Sequence, residues 1–134
     1  MTVTANSIIT PQAIRSLNCV TTAAKTTLSD ATNAVKLGDA GANGSILRKL
    51  TAMPRATVTA TQLQLYKFDG AAYWLVGSVL MPAYTMANTT ADPITDFGYS
   101  DLYSLYLPAS WSFYVGAAVA LAGGIVWNGE VGDL

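Results

Sequence analysis

The stretch Leu37-Gly38-Asp39-Ala40-Gly41-Ala42-Asn43-Gly44-Ser45 runs straight into the apolar-polar segment Ile46-Leu47-Arg48-Lys49-Leu50. Three glycines and an asparagine within seven positions supply backbone conformations that other residues avoid, so a helix cannot form there and the chain can reverse before a strand begins. A glycine-rich loop ahead of an apolar run can also cradle phosphate, but that use needs a Lys-Ser/Thr pair opening a helix. Here Gly44 leads to Ser45, Ile46 and a strand pattern, which favours a structural turn.

The same alternation of short apolar runs and turn residues continues along the chain. Ile14 to Val20 is predicted as a strand, Thr26 to Asn33 as a loop, and Ala34 to Leu37 as a short strand before the glycine-rich turn. Ser45 to Met53 is the strand that leaves it, ended by Pro54. Thr57 to Thr61 is strongly β-prone, and Gln62 to Phe68 alternates, with Leu63 and Leu65 on one face.

Asp69-Gly70 then separates that run from Tyr73-Trp74-Leu75-Val76, which predicts a hairpin whose second arm ends at Pro82. Ala83 to Ala91 reads as a loop or a short edge strand, and Asp92 to Tyr99 as a further strand. Leu105-Tyr106-Leu107, a Pro108-led turn and a strand from Trp111 follow. The apolar run from Tyr114 through Trp127 is too short for a membrane span and reads as two arms of a hairpin joined at Gly123-Gly124. About eight or nine short strands with turns between them and no helical pattern predict an all-β fold, a sandwich or barrel.

At 134 residues the chain fits one domain, large enough to bury roughly two-thirds of its unfolded surface. Residues 1 to 13 are polar and Thr-rich and are expected to form an N-terminal arm, leaving 14 to 134 as the domain. Charged residues make up only 11%, where about a quarter is usual. A surface so poor in charge suits a protein packed against others, because each charge buried at an interface must be desolvated or paired. The formal charge of −1 comes from scattered residues, which argues against nucleic-acid binding. The N-terminus lacks a basic region followed by an apolar core, so the expectation is synthesis in a cytoplasm with no membrane partner.

The chain contains no histidine, which excludes Ser-His-Asp and Cys-His catalysis and removes the commonest metal ligand. Asp92, Asp96 and Asp101 are the closest group of three acids in sequence, but they stand in turn-like contexts, where Asp serves to bond its own backbone. No enzyme activity, metal site or cofactor is expected. The single cysteine, Cys19, reads as a small apolar filler in a strand. Aromatic residues could build a sugar-stacking platform, although in a sandwich most of them fill the core.

Three segments carry a resemblance: Asn33-Ala34-Val35-Lys36-Leu37 into Gly41-Ala42-Asn43-Gly44-Ser45-Ile46, the Leu65-Tyr66-Lys67-Phe68-Asp69-Gly70 turn, and Leu107-Pro108-Ala109-Ser110-Trp111-Ser112. From about Ile8 onward the chain resembles the small jelly-roll cement, or decoration, proteins of tailed-bacteriophage capsids, of the kind found on a Bordetella phage. The resemblance implies an antiparallel jelly-roll β-sandwich that binds the capsid exterior of the virion and clamps neighbouring major capsid proteins. It also implies a homo-oligomer, a dimer ahead of a trimer, and no catalytic residues. The candidate contact residues are Val3, Ile8 and Ile9 of the arm with Trp74, Tyr84, Tyr99, Tyr103 and Tyr106. The alternatives are a carbohydrate-binding sandwich module and a tail or connector component.

Overall fold

The computed structural model describes residues 11–134, and all of its regular structure is β. Nine strands follow in chain order: β1 (Ala13–Thr21), β2 (Val35–Asp39), β3 (Ser45–Pro54), β4 (Thr61–Phe68), β5 (Tyr73–Met81), β6 (Thr95–Asp96), β7 (Leu105–Leu107), β8 (Ser112–Ala117) and β9 (Ile125–Asp133). They make two antiparallel sheets. One runs β1-β9-β3-β6, with β7 also paired to β3, and the other runs β2-β8-β4-β5. The core lies between them, where Leu17, Leu47, Leu50, Trp127 and Val131 of the first sheet meet Leu63, Leu65, Phe113 and Val115 of the second. Trp127 is fully buried, and its indole N–H donates to the Thr21 hydroxyl at 3.0 Å.

The central strand β3 shows how the sequence fills this core. Strict alternation from Ile46 would turn Leu47, Lys49 and Thr51 to one side and split the apolar residues between both faces. A bulge intervenes: Leu47 pairs with Val131 and Lys49 with Glu130, so Arg48 is an extra residue. The phase therefore flips once, and Leu47, Leu50 and Ala52 all point inward.

The glycine-rich stretch connects β2 of one sheet to β3 of the other. Of its residues only Gly44 takes a positive φ, 91°, and closes a turn by donating its N–H to the Gly41 carbonyl at 3.0 Å. The Asp69-Gly70 hairpin forms as expected, with Phe68 opposite Tyr73. Asp69 acts through its side chain, one carboxylate oxygen accepting the N–H groups of Ala71 and Ala72 at 2.8 Å each.

Other expectations are corrected. Strands β8 and β9 are not arms of one hairpin: they belong to opposite sheets, and residues 118–124 cross between them, held where Leu121 N–H donates to the Thr22 carbonyl. Both strands carry core residues, and each finds its partners elsewhere in the chain. Thr57 to Thr61 yields only an isolated bridge, Val58 to Tyr84, before β4 begins. Asp92 to Tyr99 shrinks to β6, because Asp96 accepts the Gly98 N–H at 2.8 Å and Gly98 turns the chain at φ 90°. At the N-terminal end, Gln12 N–H already donates to the Asp133 carbonyl, so the described chain is tied to β9 from that point.

The connection from β1 to β2 folds over the outside of the second sheet. Its Lys25 has no exposed surface. The ammonium donates to the carbonyls of Asp30 at 2.6 Å and Thr32 at 3.0 Å, lies 3.3 Å from the Asp30 carboxylate, and sits 5.0 Å above the Tyr66 ring. A buried ammonium requires such partners. Gln64 completes the group by donating to the Lys25 carbonyl and accepting from the Tyr66 hydroxyl. The stem needs Gly116 beneath it, where a Cβ would come within 2.7 Å of the lysine chain.

The bulge makes a sharp demand. Deleting Arg48 should rotate either the start or the rest of β3 by one position and abolish cooperative unfolding, whereas Arg48→Ala should leave a cooperative transition with only a small drop in melting temperature; thermal melts of both variants check this. Asp30 is one of several carboxyls whose depression contributes to the acid response. Its carboxyl is held at about 2, against an ordinary 3.8, first by the Thr27 hydroxyl, then by the Thr32 N–H, with Lys25 adding to both. A carboxyl depressed in the folded state contributes its full stabilisation above about pH 4 and loses it as pH falls through 2. The unfolding temperature of Asp30→Asn should accordingly fall less between pH 4 and pH 2 than that of the parent.

Candidate binding faces

Three surfaces stand out once the core is accounted for. The first is the outer face of the β1-β9-β3-β6 sheet. Strand register places Asn18, Asn128, Thr51 and Asp96 side by side across four strands, and Ser16, Glu130 and Lys49 form the next row. Apolar rows flank them: Val20, Val126 and Met53 on one side, Ile14, Ile46 and Tyr106 on the other. A cleft of about 410 Å³ lies over the polar rows, and a second of about 310 Å³ adjoins it through Lys49 and Glu130, reaching Asp96, Tyr99 and Asp101.

Most charges here are held in place. Arg15 grips Asp133 with two nitrogens, at 2.5 and 2.9 Å, and Asp133 also accepts the Ser45 hydroxyl. The guanidinium is the main reason that Asp133 sits below the usual carboxylate range. Arg48 pairs with Asp101 and lies 3.6 Å from Glu130, and it depresses the Asp101 carboxyl in the same way. Asn18 donates to the Asn128 amide oxygen and accepts from Ser16. Lys49 makes no ion pair among the described residues.

The second surface is strand β5, an edge of the other sheet. The third lies on that sheet's outer face, where Phe68 stacks on Tyr73 with centroids 4.3 Å apart and Tyr114 meets both rings edge-on. Along β5, Trp74, Leu75 and Leu80 are exposed, Leu80 by 65%. The Trp74 indole N–H donates to Asp69 at 3.0 Å, which fixes the orientation of an exposed ring. Lys67, opposite Trp74, has its amine pushed below the usual lysine range by burial.

The candidate contact residues do not form one patch. Tyr103 and Tyr106 are exposed and belong to the segment bordering the first sheet; Tyr99 there is half-buried, with its hydroxyl pushed up by burial. Trp74 stands on the other sheet. Tyr84 is half-buried and bonds to Thr90. Val3, Ile8 and Ile9 lie outside the described residues. Of the three acids considered for chemistry, Asp96 holds a turn, Asp101 pairs with Arg48, and Asp92 precedes Pro93 in the connection to β6. Cys19 is half-buried against the core and its thiol is pushed up to about 12 by burial, as a filler would be.

The polar rows are the feature that sequence reading missed. Their signal was present in Trp127-Asn128-Gly129-Glu130-Val131, where polar residues alternate with core positions. Among the described residues, no helix is long and apolar enough to cross a membrane. No protein-family model, curated protein or solved structure matches the chain.

The three tryptophans differ enough in exposure to be told apart. Trp74 is 53% exposed and Trp127 is fully buried. Trp74→Phe should therefore remove most of the fluorescence that acrylamide quenches, while leaving the emission of Trp127 in place.

Proposed function

We propose that this protein is a non-enzymatic structural component of a phage virion that binds the outer surface of the capsid and cements neighbouring major capsid proteins. The observation that carries this reading is strand β5. It is nine residues long, Tyr73-Trp74-Leu75-Val76-Gly77-Ser78-Val79-Leu80-Met81, with no charge and no proline, and it has no backbone partner on its far side among the described residues. Free edges invite pairing, and soluble proteins guard them with charges, prolines or shortness. The other edges are so guarded: β1 carries Arg15, β2 is five residues with Lys36 and Asp39, and β6 and β7 are two and three. An unguarded edge with Trp74, Leu75 and Leu80 exposed suits a strand that is covered in its working state.

Strand order supports the jelly-roll reading. With β6 and β7 taken as two pieces of one interrupted strand, the sheets run β1-β9-β3-β6/β7 and β2-β8-β4-β5, the order of two Greek keys rolled together. Low charge supports the same role, since a lattice repeats each contact many times and a modest interface accumulates a large effect. Copies of the chain assemble with one another and with the major capsid protein on the virion exterior.

Purified protein mixed with undecorated, expanded shells of its own virus should co-sediment with them and raise their disruption temperature. Leu80→Lys should lower occupancy at least about tenfold, with a melting temperature of the free protein within a few degrees of the parent. Shells that take up no protein would refute the reading.

A further inference from the structure

The geometry points to a second site, independent of the capsid contact: the outer face of the β1-β9-β3-β6 sheet binds an uncharged oligosaccharide across its strands. The row Asn18-Asn128-Thr51-Asp96 crosses three inter-strand gaps, about 14 Å at the usual strand spacing. That is a length suited to a few sugar rings. Thr51 is nearly buried and forms the floor, while the two amides and the carboxylate stand exposed around it.

Polarity matches a sugar better than it matches an apolar or highly charged partner. Sugar rings present hydroxyls at their rims and C–H groups on their faces. Here two polar rows lie between two apolar rows, Val20-Val126-Met53 and Ile14-Ile46-Tyr106, so hydroxyls meet amide, hydroxyl and ammonium groups while C–H faces meet aliphatic side chains. The two clefts hold three cations, Arg15, Arg48 and Lys49, and three anions, Asp96, Asp101 and Glu130, so their formal charge is balanced. Both arginines are occupied by carboxylates. What remains for a ligand is the Asn128 amide N–H₂, the Thr51 hydroxyl and the Lys49 ammonium as donors, with the Glu130 carboxylate, which lies 3.6 Å from Arg48 at the junction of the clefts, as a shared acceptor. A combined volume of this size sits within the range of small-ligand sites.

The experiment titrates the full chain with cellohexaose, maltohexaose, mannohexaose and chitohexaose, followed by amide chemical shifts and calorimetry. The expected result is saturable binding of at least one, at about 1 mM or tighter, with shift changes confined to Ser16, Asn18, Lys49, Thr51 and Asn128. Asn128→Ala and Lys49→Ala, both at exposed positions, should each weaken it at least about fivefold without changing the melting temperature. The proposal is overturned if none of the four sugars binds at 10 mM on the order of the weakest sites, if binding survives both substitutions and is lost in Trp74→Ala, or if only an extended Thr-Val peptide shifts these amides. None of these outcomes bears on shell binding, so the two readings stand or fall separately.

Discussion

One extra residue sets the character of both faces of the first sheet. Strand β3 touches β9, β6 and β7, and its side chains must feed a core on one side and water on the other. Period-two alternation cannot do this with Leu47 and Leu50 three positions apart. The bulge at Arg48 absorbs the mismatch, placing both leucines in the core and turning Lys49, Thr51 and Met53 outward in step with β9. The extra residue is used as well, since Arg48 reaches Asp101 in the segment that precedes β7. Core packing and the pattern of the outer face thus share a single cause.

The two sheets treat their outer faces differently. The second sheet is roofed in part by its own chain: the β1–β2 connection buries Gln64 and Tyr66 beneath Lys25. Beyond that roof an aromatic cluster leads to the uncharged edge β5, while the opposite edge, β2, carries the exposed Lys36–Asp39 pair. The first sheet is left open and is polar along its middle. A sandwich with one adhesive edge and one hydrophilic face can hold to a surface while presenting the other side outward, which is how the proposed capsid contact and the proposed sugar cleft fit on one small chain.

Much of the architecture was legible in the sequence, and the parts that were not share a reason. The β4–β5 hairpin could be read almost residue by residue, because Leu63 and Leu65 alternate and Asp69-Gly70 is local turn chemistry. Strand β9 was also found, but its partner was not: which sheet a strand joins depends on residues far away, and Tyr114 to Trp127 looked like a hairpin only because its strands are neighbours in sequence. The polar rows needed register across β1, β9, β3 and β6, which no local window contains. Aromatic residues drew attention as contact candidates because they are conspicuous, yet Tyr84 and Tyr99 are half-buried.

Lys25 was illegible for another reason: lysine is almost always exposed, and its cage is built mainly of the backbone carbonyls of Asp30 and Thr32, which no side-chain pattern announces. Its seclusion gives the molecule a built-in gauge. An amine reagent that modifies every open lysine must leave this one untouched while the roof over the second sheet is shut, so the slow appearance of one further tag would time the lifting of that roof, residue 25 acting as the clock hand.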